Sequence, residues 1–358
     1  MRDHDVIWKK TQEGVFVVAE IGKNFIQKEE DDRKVYLENA KNLIKAAKDA
    51  GADAVKFQTH NVEDEQLNIQ ITSPHFDGAD RYSWVKRNTE ATPLEFWKAL
   101  KEYADSLDIV MFTTPMSRGA AQRVASLDFP LWKVGSGDML DFVLLDYLAE
   151  TKKPIILSSG MSTIEELDRS VAFLKERTDK IAILHCVSKY PCPPEELFLD
   201  TIPYLKKRYG VPVGFSDHSL GYDAALVAVE KGAAIIEKHF TASRDLWGSD
   251  HKVSQTPDEL REMIRAIQKT ERRDSAPYGL GIKEMDEHEK SFRPVFRKSL
   301  MAGQDIPSGT VITKEMVYAM RPQQYAGGLP SEEYENVVGK KAAKDFKKYD
   351  PITADSIS

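Results

Sequence analysis

Two histidines stand at the ends of two short apolar runs in the stretch 212–251, His218 after VPVGF and His239 after AAIIE, with one helix-length crossover between them. Ends of neighbouring parallel strands lie roughly 4.8 Å apart, so two imidazoles placed there can converge on one ion. Two imidazoles alone do not select a metal. With a carboxylate such as Glu20 and water they suit Mn²⁺, or a similar ion such as Mg²⁺ or Co²⁺, with open positions. His185 follows a run of the same kind but sits deeper in it, ahead of Cys186, Val187 and Ser188, and is read as a core group.

Other apolar runs also stop on polar residues: Glu20, Lys56 with Gln58, Thr113 with Thr114, Lys133 with Ser136, Ser158 with Ser159, Ser188, Ser216 and Glu237. One such residue is easily a satisfied core group. A whole set converging on one mouth is costly unless it meets a polar ligand. Ammonium and hydroxyl donors suit phosphate and carboxylate, and the glycines of GSGD and SSGMS let backbone N–H groups come close to an anion. The set points to a small substrate with more than one negative charge.

The elements that must position these residues follow in order. The runs 15–22, 52–60, 109–115, 130–138, 154–162, 181–188, 211–215 and 233–237 read as strands, near-continuously apolar. Helical patterns separate them, among them 35–51 ending on Gly51, 93–107, 163–177 and 256–273. Eight strand–helix units predict a parallel sheet closed into an α/β (β/α)₈ TIM barrel, with the active site at the C-terminal strand ends. An open doubly wound sheet would carry a glycine-rich dinucleotide fingerprint after its first strand, and AEIGKNF is not one. Residues 60–92 are irregular and aromatic, which suggests an ordered flap or a surface excursion.

The barrel is expected over 1–282, a linker over 283–294 that turns extended near Val295, and a small strand-rich domain over 295–358. Lys and Arg number 11 and Asp and Glu 11 from residue 286 onward, so the net charge of −7 belongs to the barrel. That charge argues against a general nucleic-acid partner. No apolar run approaches the ~20 residues that cross a bilayer, and MRDHDVIWKKTQEG lacks the apolar core of a secretory signal. With Cys186 and Cys192 as the only cysteines, reduced thiols in a cytoplasmic protein are expected. KKAAKDFKK reads as a solvated face.

Taken together, AEIGKN, DAVKFQTH, FTTPMS, WKVGSGD, ILSSGM, LHCVSKYP, GFSDHS and EKHFT resemble the sialic acid synthase family, which includes N-acetylneuraminate, legionaminate and pseudaminate synthases. The tail, through QDIPSGTVI, AMRP and VVGKKAAKDF, is similar to the antifreeze-like (SAF) domain of those enzymes. The resemblance implies that phosphoenolpyruvate condenses with an N-acylated amino-sugar aldehyde to give a nine-carbon 2-keto-3-deoxy acid and phosphate, by C–O cleavage. It implies a divalent metal, usually manganese, on His218 and His239. Lys56, Thr114, Lys133, Ser136, Ser158, Ser188 and Ser216 would hold phosphoenolpyruvate, and Glu20 would handle protons. Gln58, Tyr190, Glu237, Asp250 and Phe296 would face the sugar. Arg321 would reach a partner's sugar site in a domain-swapped homodimer.

The departures gather toward the sugar. The family's asparagine–histidine pair is Asn24-Phe25 here, its asparagine after LHC is Ser188, and its sugar loop reads LWGSD. The loop after AEIG is longer, and the RPG-type turn is RPQQYAGGLP. A related synthase using a phosphorylated sugar would need a further basic site, for which Arg81, Lys86 and Arg87 are candidates if they are not a solvated face. A metal-dependent pyruvate aldolase would not need so many anion donors, and a purely ligand-binding tail accounts for none of the strand ends.

Overall fold

The computed structural model describes residues 6–28, 32–72, 80–270 and 279–358. Eight parallel strands, β1 (Phe16–Gly22), β2 (Ala54–Thr59), β3 (Val110–Pro115), β4 (Trp132–Val134), β5 (Ile155–Ser158), β6 (Ile181–Cys186), β7 (Val213–Asp217) and β8 (Ile235–His239), close in sequence order into a barrel. All eight lie within the predicted runs or extend them by two residues. β7 carries on through Ser216 and Asp217, and β8 through Lys238 and His239, so the polar ends themselves are strand.

Helices α1 (Val6–Glu13), α2 (Arg33–Ala50), α3 (Val62–Glu65), α4 (Arg81–Ala91), α5 (Leu94–Ser106), α6 (Arg118–Arg123), α7 (Phe142–Glu150), α8 (Ile164–Lys175), α9 (Thr201–Tyr209), α10 (Asp223–Glu230) and α11 (Pro257–Ile267) accompany the barrel. Their boundaries have local causes. Asp32 caps α2 by accepting from the N–H groups of Lys34 and Val35, and Gly51 ends it at φ 99°. Thr163 with Glu166, and Thr256 with Glu259, form capping boxes on α8 and α11.

Several expectations change. The N-terminal segment, read only as lacking a signal, forms α1. The described part of the irregular stretch 60–92 is largely helical, in α3 and α4, because Asp80 caps α4 from its side chain and Val85 and Asn88 bury inward; residues 73–79 of the expected flap lie outside the described residues. The expected linker 283–294 is mostly α12 (Glu287–Phe296), capped by Asp286. Val295 is helical rather than extended. Pro294 sits inside this helix, and the extended conformation begins only at Arg297.

Beyond it, β9 (Ser299–Ala302) and β10 (Val317–Met320) pair antiparallel, and a short α13 (Gln323–Ala326) follows. The remainder of this domain is isolated bridges and turns around Leu300, Ile306, Ile312, Phe346 and Ile352. It is thinner in strand than expected; most of its buried apolar residues join the main core, while Met301, Met320 and Ala326 form a small cluster of their own. Arg118 donates to the carbonyls of Lys314 at 2.6 Å and Val317 at 2.8 Å. No helix among the described residues is long and apolar enough to cross a membrane.

Candidate active site

Strand register sets the first neighbours. Glu20 on β1 lies opposite Lys56 on β2 and His239 on β8, Gln58 lies opposite Thr114, and Ser216 lies opposite Glu237. These side chains point into one cavity of about 500 Å³ at the C-terminal mouth of the barrel. Glu20, Lys56, Gln58, Thr114, Lys133, Ser136, Ser158, Ser188, Tyr190, Ser216, His218, Glu237, His239, Asp250, Phe296 and Arg321 all line it, whereas Thr113 and Ser159 turn to the backbone carbonyls of Phe57 and Leu184.

The floor is a chain of buried charges. Lys56 Nζ lies 2.7 Å from Glu20 Oε2 and 3.6 Å from Glu237 Oε2, and it donates to Thr114 Oγ1 at 3.0 Å. Lys133 Nζ donates to Ser158 Oγ at 2.6 Å, and Ser216 Oγ to Glu237 Oε1 at 3.0 Å. Burial alone would raise Glu237, but Lys133 and Lys56 overrule it and hold this carboxylate at about 2. For Glu20 burial prevails over Lys56 and raises the carboxyl above its ordinary range. Burial would likewise lower Lys56, yet Glu20 and Glu237 raise it, whereas burial wins at Lys133 and lowers it.

The imidazoles of His218 and His239 stand with ring centroids 5.6 Å apart, and the Tyr190 ring lies 4.0 Å from that of His218. His218 Nδ1 donates to the carbonyl of Val187 at 2.8 Å, so in the neutral ring Nε2 carries the lone pair. His239 Nδ1 is buried without a hydrogen-bond partner. Both rings therefore retain a free ligating nitrogen. Among the described residues no group of three or more His, Cys, Asp or Glu side chains forms a ready cage, so an ion held here would keep open positions. His185 is different: Nε2 donates to the Leu197 carbonyl at 2.6 Å, and the ring is fully buried against Phe215.

At the outer end Arg321 donates to Asp138, and its guanidinium lies 5.9 Å from the centroid of the Phe296 ring. It occupies the cavity of its own chain. Beside it α12 lies over the mouth, and Lys298 is held by Asp138 at 2.9 Å and Asp141 at 2.7 Å. Of the three candidate phosphate cations only Arg81 lines the cavity, buried with its guanidinium 4.5 Å from the centroid of Phe296. Lys86 is exposed, and Arg87 packs on Trp247 of the LWGSD loop at 5.4 Å.

Several lining residues escaped the sequence reading. His60 lies two positions beyond Gln58, so the alternation that selects Lys56 and Gln58 would have selected it too. Its Nδ1 is 2.8 Å from Glu65 and its Nε2 is unpartnered. Cys186, read only as a reduced thiol, lies 3.5 Å from Ser136 Oγ. Trp84 and Phe292 come from helices the sequence did not reveal, and Lys252 from the loop after β8. Phe25 leaves the site altogether, its ring 5.4 Å from Phe96 and 6.1 Å from Phe57.

A closed α/β barrel whose mouth gathers buried cations, hydroxyls and two ligating imidazoles, with a small domain packed beside it, defines an enzyme that handles a small anionic substrate. Residues 43–276 match the NeuB family and residues 297–358 the SAF domain, and the chain belongs to the NeuB family. It is 34% identical to a pseudaminic acid synthase of Campylobacter jejuni over 94% of this chain and 95% of that one. It is 31% identical to an N-acetylneuraminate-9-phosphate synthase of Homo sapiens over 96% and 93%. Among solved structures, a spore coat polysaccharide biosynthesis protein of Bacillus subtilis superposes with a TM-score of 0.79 at 30% identity, covering 96% of this chain and 95% of that one.

Proposed function

We propose that this enzyme condenses phosphoenolpyruvate with an N-acylated amino-sugar aldehyde to give a nine-carbon 2-keto-3-deoxy acid and phosphate. The observation that carries the reading is the single cavity in which donors for a multiply charged anion meet two imidazoles with free nitrogens. The synthase relatives support it.

In this reading Lys56, Thr114, Lys133, Ser136, Ser158, Ser188 and Ser216 hold phosphoenolpyruvate. Gln58, Tyr190, Glu237, Asp250, Phe296 and Arg321 receive the sugar. His218 and His239 hold a divalent ion, Mn²⁺ by preference, which when bound polarises the aldehyde oxygen. C3 of phosphoenolpyruvate forms the new C–C bond to the aldehyde carbon while the aldehyde oxygen gains a proton. Water then adds at C2, losing one proton, and the resulting C2 hydroxyl passes its remaining proton to the departing phosphate as the C2–O bond breaks, leaving the keto group. Glu20, raised by burial and 2.7 Å from Lys56, is the group for these proton movements. Lys56 and Lys133 screen the charge that departs with phosphate.

The test is phosphate release from phosphoenolpyruvate with a panel of 2-acetamido, 2,4-diacetamido and 6-phospho hexoses. Turnover with an unphosphorylated hexose is expected, and an absolute requirement for the 6-phosphate would overturn it. That second reading draws on Arg81, the one candidate basic residue of the flap that faces the cavity, and on the human relative. Activity with pyruvate in place of phosphoenolpyruvate would overturn the synthase reading itself. Dialysis against EDTA should abolish turnover and added Mn²⁺ restore it. The unpaired, buried Cys186 and Cys192 support a reducing, cytoplasmic setting. In a domain-swapped homodimer the Arg321–Asp138 and Lys298–Asp141 contacts would be made to a partner's barrel, and light scattering would give a two-chain mass.

A further inference from the structure

Glu289, on α12 outside the barrel, is fully buried. Its Oε1 accepts from the backbone N–H of Met161, in the loop after β5, at 3.1 Å, and from that of Ser188, after β6, at 2.9 Å. Lys283 Nζ neutralises it at 2.8 Å and also donates to the Cys186 carbonyl at 3.1 Å. Ser158 at the end of β5 and Ser188 in the loop after β6 are assigned above to phosphate. Gly160, next to Met161 in the β5 loop, donates its N–H to Ser136 Oγ at 3.1 Å. A Cβ on Gly160 would stand 2.3 Å from Ser188 Oγ and 2.5 Å from Ser136 Oγ, so the three groups crowd one point. Met161 holds φ at 52°, a left-handed conformation rare for a non-glycine residue.

A buried carboxylate one residue behind an anion site opposes the anion unless it is neutralised and has a structural task. We propose that Glu289, balanced by Lys283, is a positioning residue for the phosphate end of the phosphoenolpyruvate site. It ties the β5 and β6 loops together through two backbone N–H groups and holds the left-handed Met161 turn. The consequence is that phosphoenolpyruvate affinity depends on the seating of α12, the helix that leads into the SAF domain. This inference rests on the proposed assignment of Ser136, Ser158 and Ser188 to phosphate.

Phosphoenolpyruvate binding by calorimetry, KM for each substrate and melting temperature are measured on Glu289→Ala, Glu289→Gln, Lys283→Met and Ser136→Ala enzymes. Glu289→Ala is expected to weaken phosphoenolpyruvate about tenfold, with acceptor KM within about twofold of wild type. Glu289→Gln keeps an oxygen for both N–H groups and should stay within about threefold. A Glu289→Ala enzyme that binds phosphoenolpyruvate as wild type does would overturn the proposal, as would one in which both substrates weaken equally. If Glu289→Ala does not fold, Lys283→Met should weaken phosphoenolpyruvate and the added Glu289→Gln should restore it, with no restoration overturning the proposal. Should Ser136→Ala leave binding unchanged while Glu289→Ala weakens it, the serine assignment fails and the Glu289 link stands. The opposite pattern overturns the link.

Discussion

Two carboxylates on the cavity floor are driven apart by what surrounds them. Glu237 lies within reach of Lys56 and Lys133 and stays anionic, whereas Glu20, held by Lys56 and Gln58, is raised by burial. Divergent environments of this kind divide one pair of like groups into an ionised partner and a proton carrier. Glu20→Gln is therefore expected to lower kcat by about 10²–10⁴-fold while the KM for phosphoenolpyruvate changes little. Unchanged kcat in steady-state assays would remove Glu20 from proton handling. At this scale much was legible in the sequence, because a strand's two-residue alternation marks which side chains share a face. Glu20, Lys56 and Gln58 follow from that local rule. Their pairing distances do not, since register between strands is a tertiary quantity.

Elements place these groups through backbone geometry and burial. Gly160 is required for space rather than for an unusual φ. Gly160→Ala would force the hydroxyls of Ser136 and Ser188 apart, and is expected to raise the KM for phosphoenolpyruvate with only a small loss of melting temperature. An unaltered KM would show that the two serines are not jointly engaged. His185 serves β6 and not the cavity. Burial lowers its pKa to about 3, against about 6.5 in an unfolded chain. Between those values the unfolded chain binds a proton that the folded one refuses, so stability falls as pH drops through that window. The urea midpoint should decrease from pH 7 to pH 5, and His185→Gln should reduce that decrease. An equal decrease in the variant would place the acid sensitivity elsewhere. The helices α4 and α12 were not legible: α4 has only a weak apolar face, and α12 contains Pro294, normally a helix breaker.

Across the whole molecule, the SAF domain and barrel meet through buried charge. Lys298 is shared by Asp138 and Asp141, and Arg321 also donates to Asp138. Lys298→Met would leave Asp141 without its cation in a buried setting, a loss of about 3–5 kcal/mol where such pairs are broken. Denaturant titration should show a correspondingly lower midpoint, and the KM for the sugar should rise as Arg321 and Phe296 lose their seating. A variant with the wild-type midpoint would mean that the domain is held by its apolar contacts instead.

The sequence by itself determined the eight-strand barrel, the polar residue at each strand end and the kinship of the tail, because each is written in local periodicity and short motifs. The tertiary structure alone decided that α12 lies over the mouth, that Glu289 reaches loops more than a hundred residues upstream in the chain, and that Arg321 meets Asp138 and Phe296 at the cavity. It also decided which of Arg81, Lys86 and Arg87 faces inward. The physical reason is common to all four. A buried charge takes the partner that packing brings near, and no spacing along the chain specifies a contact between residues so far apart.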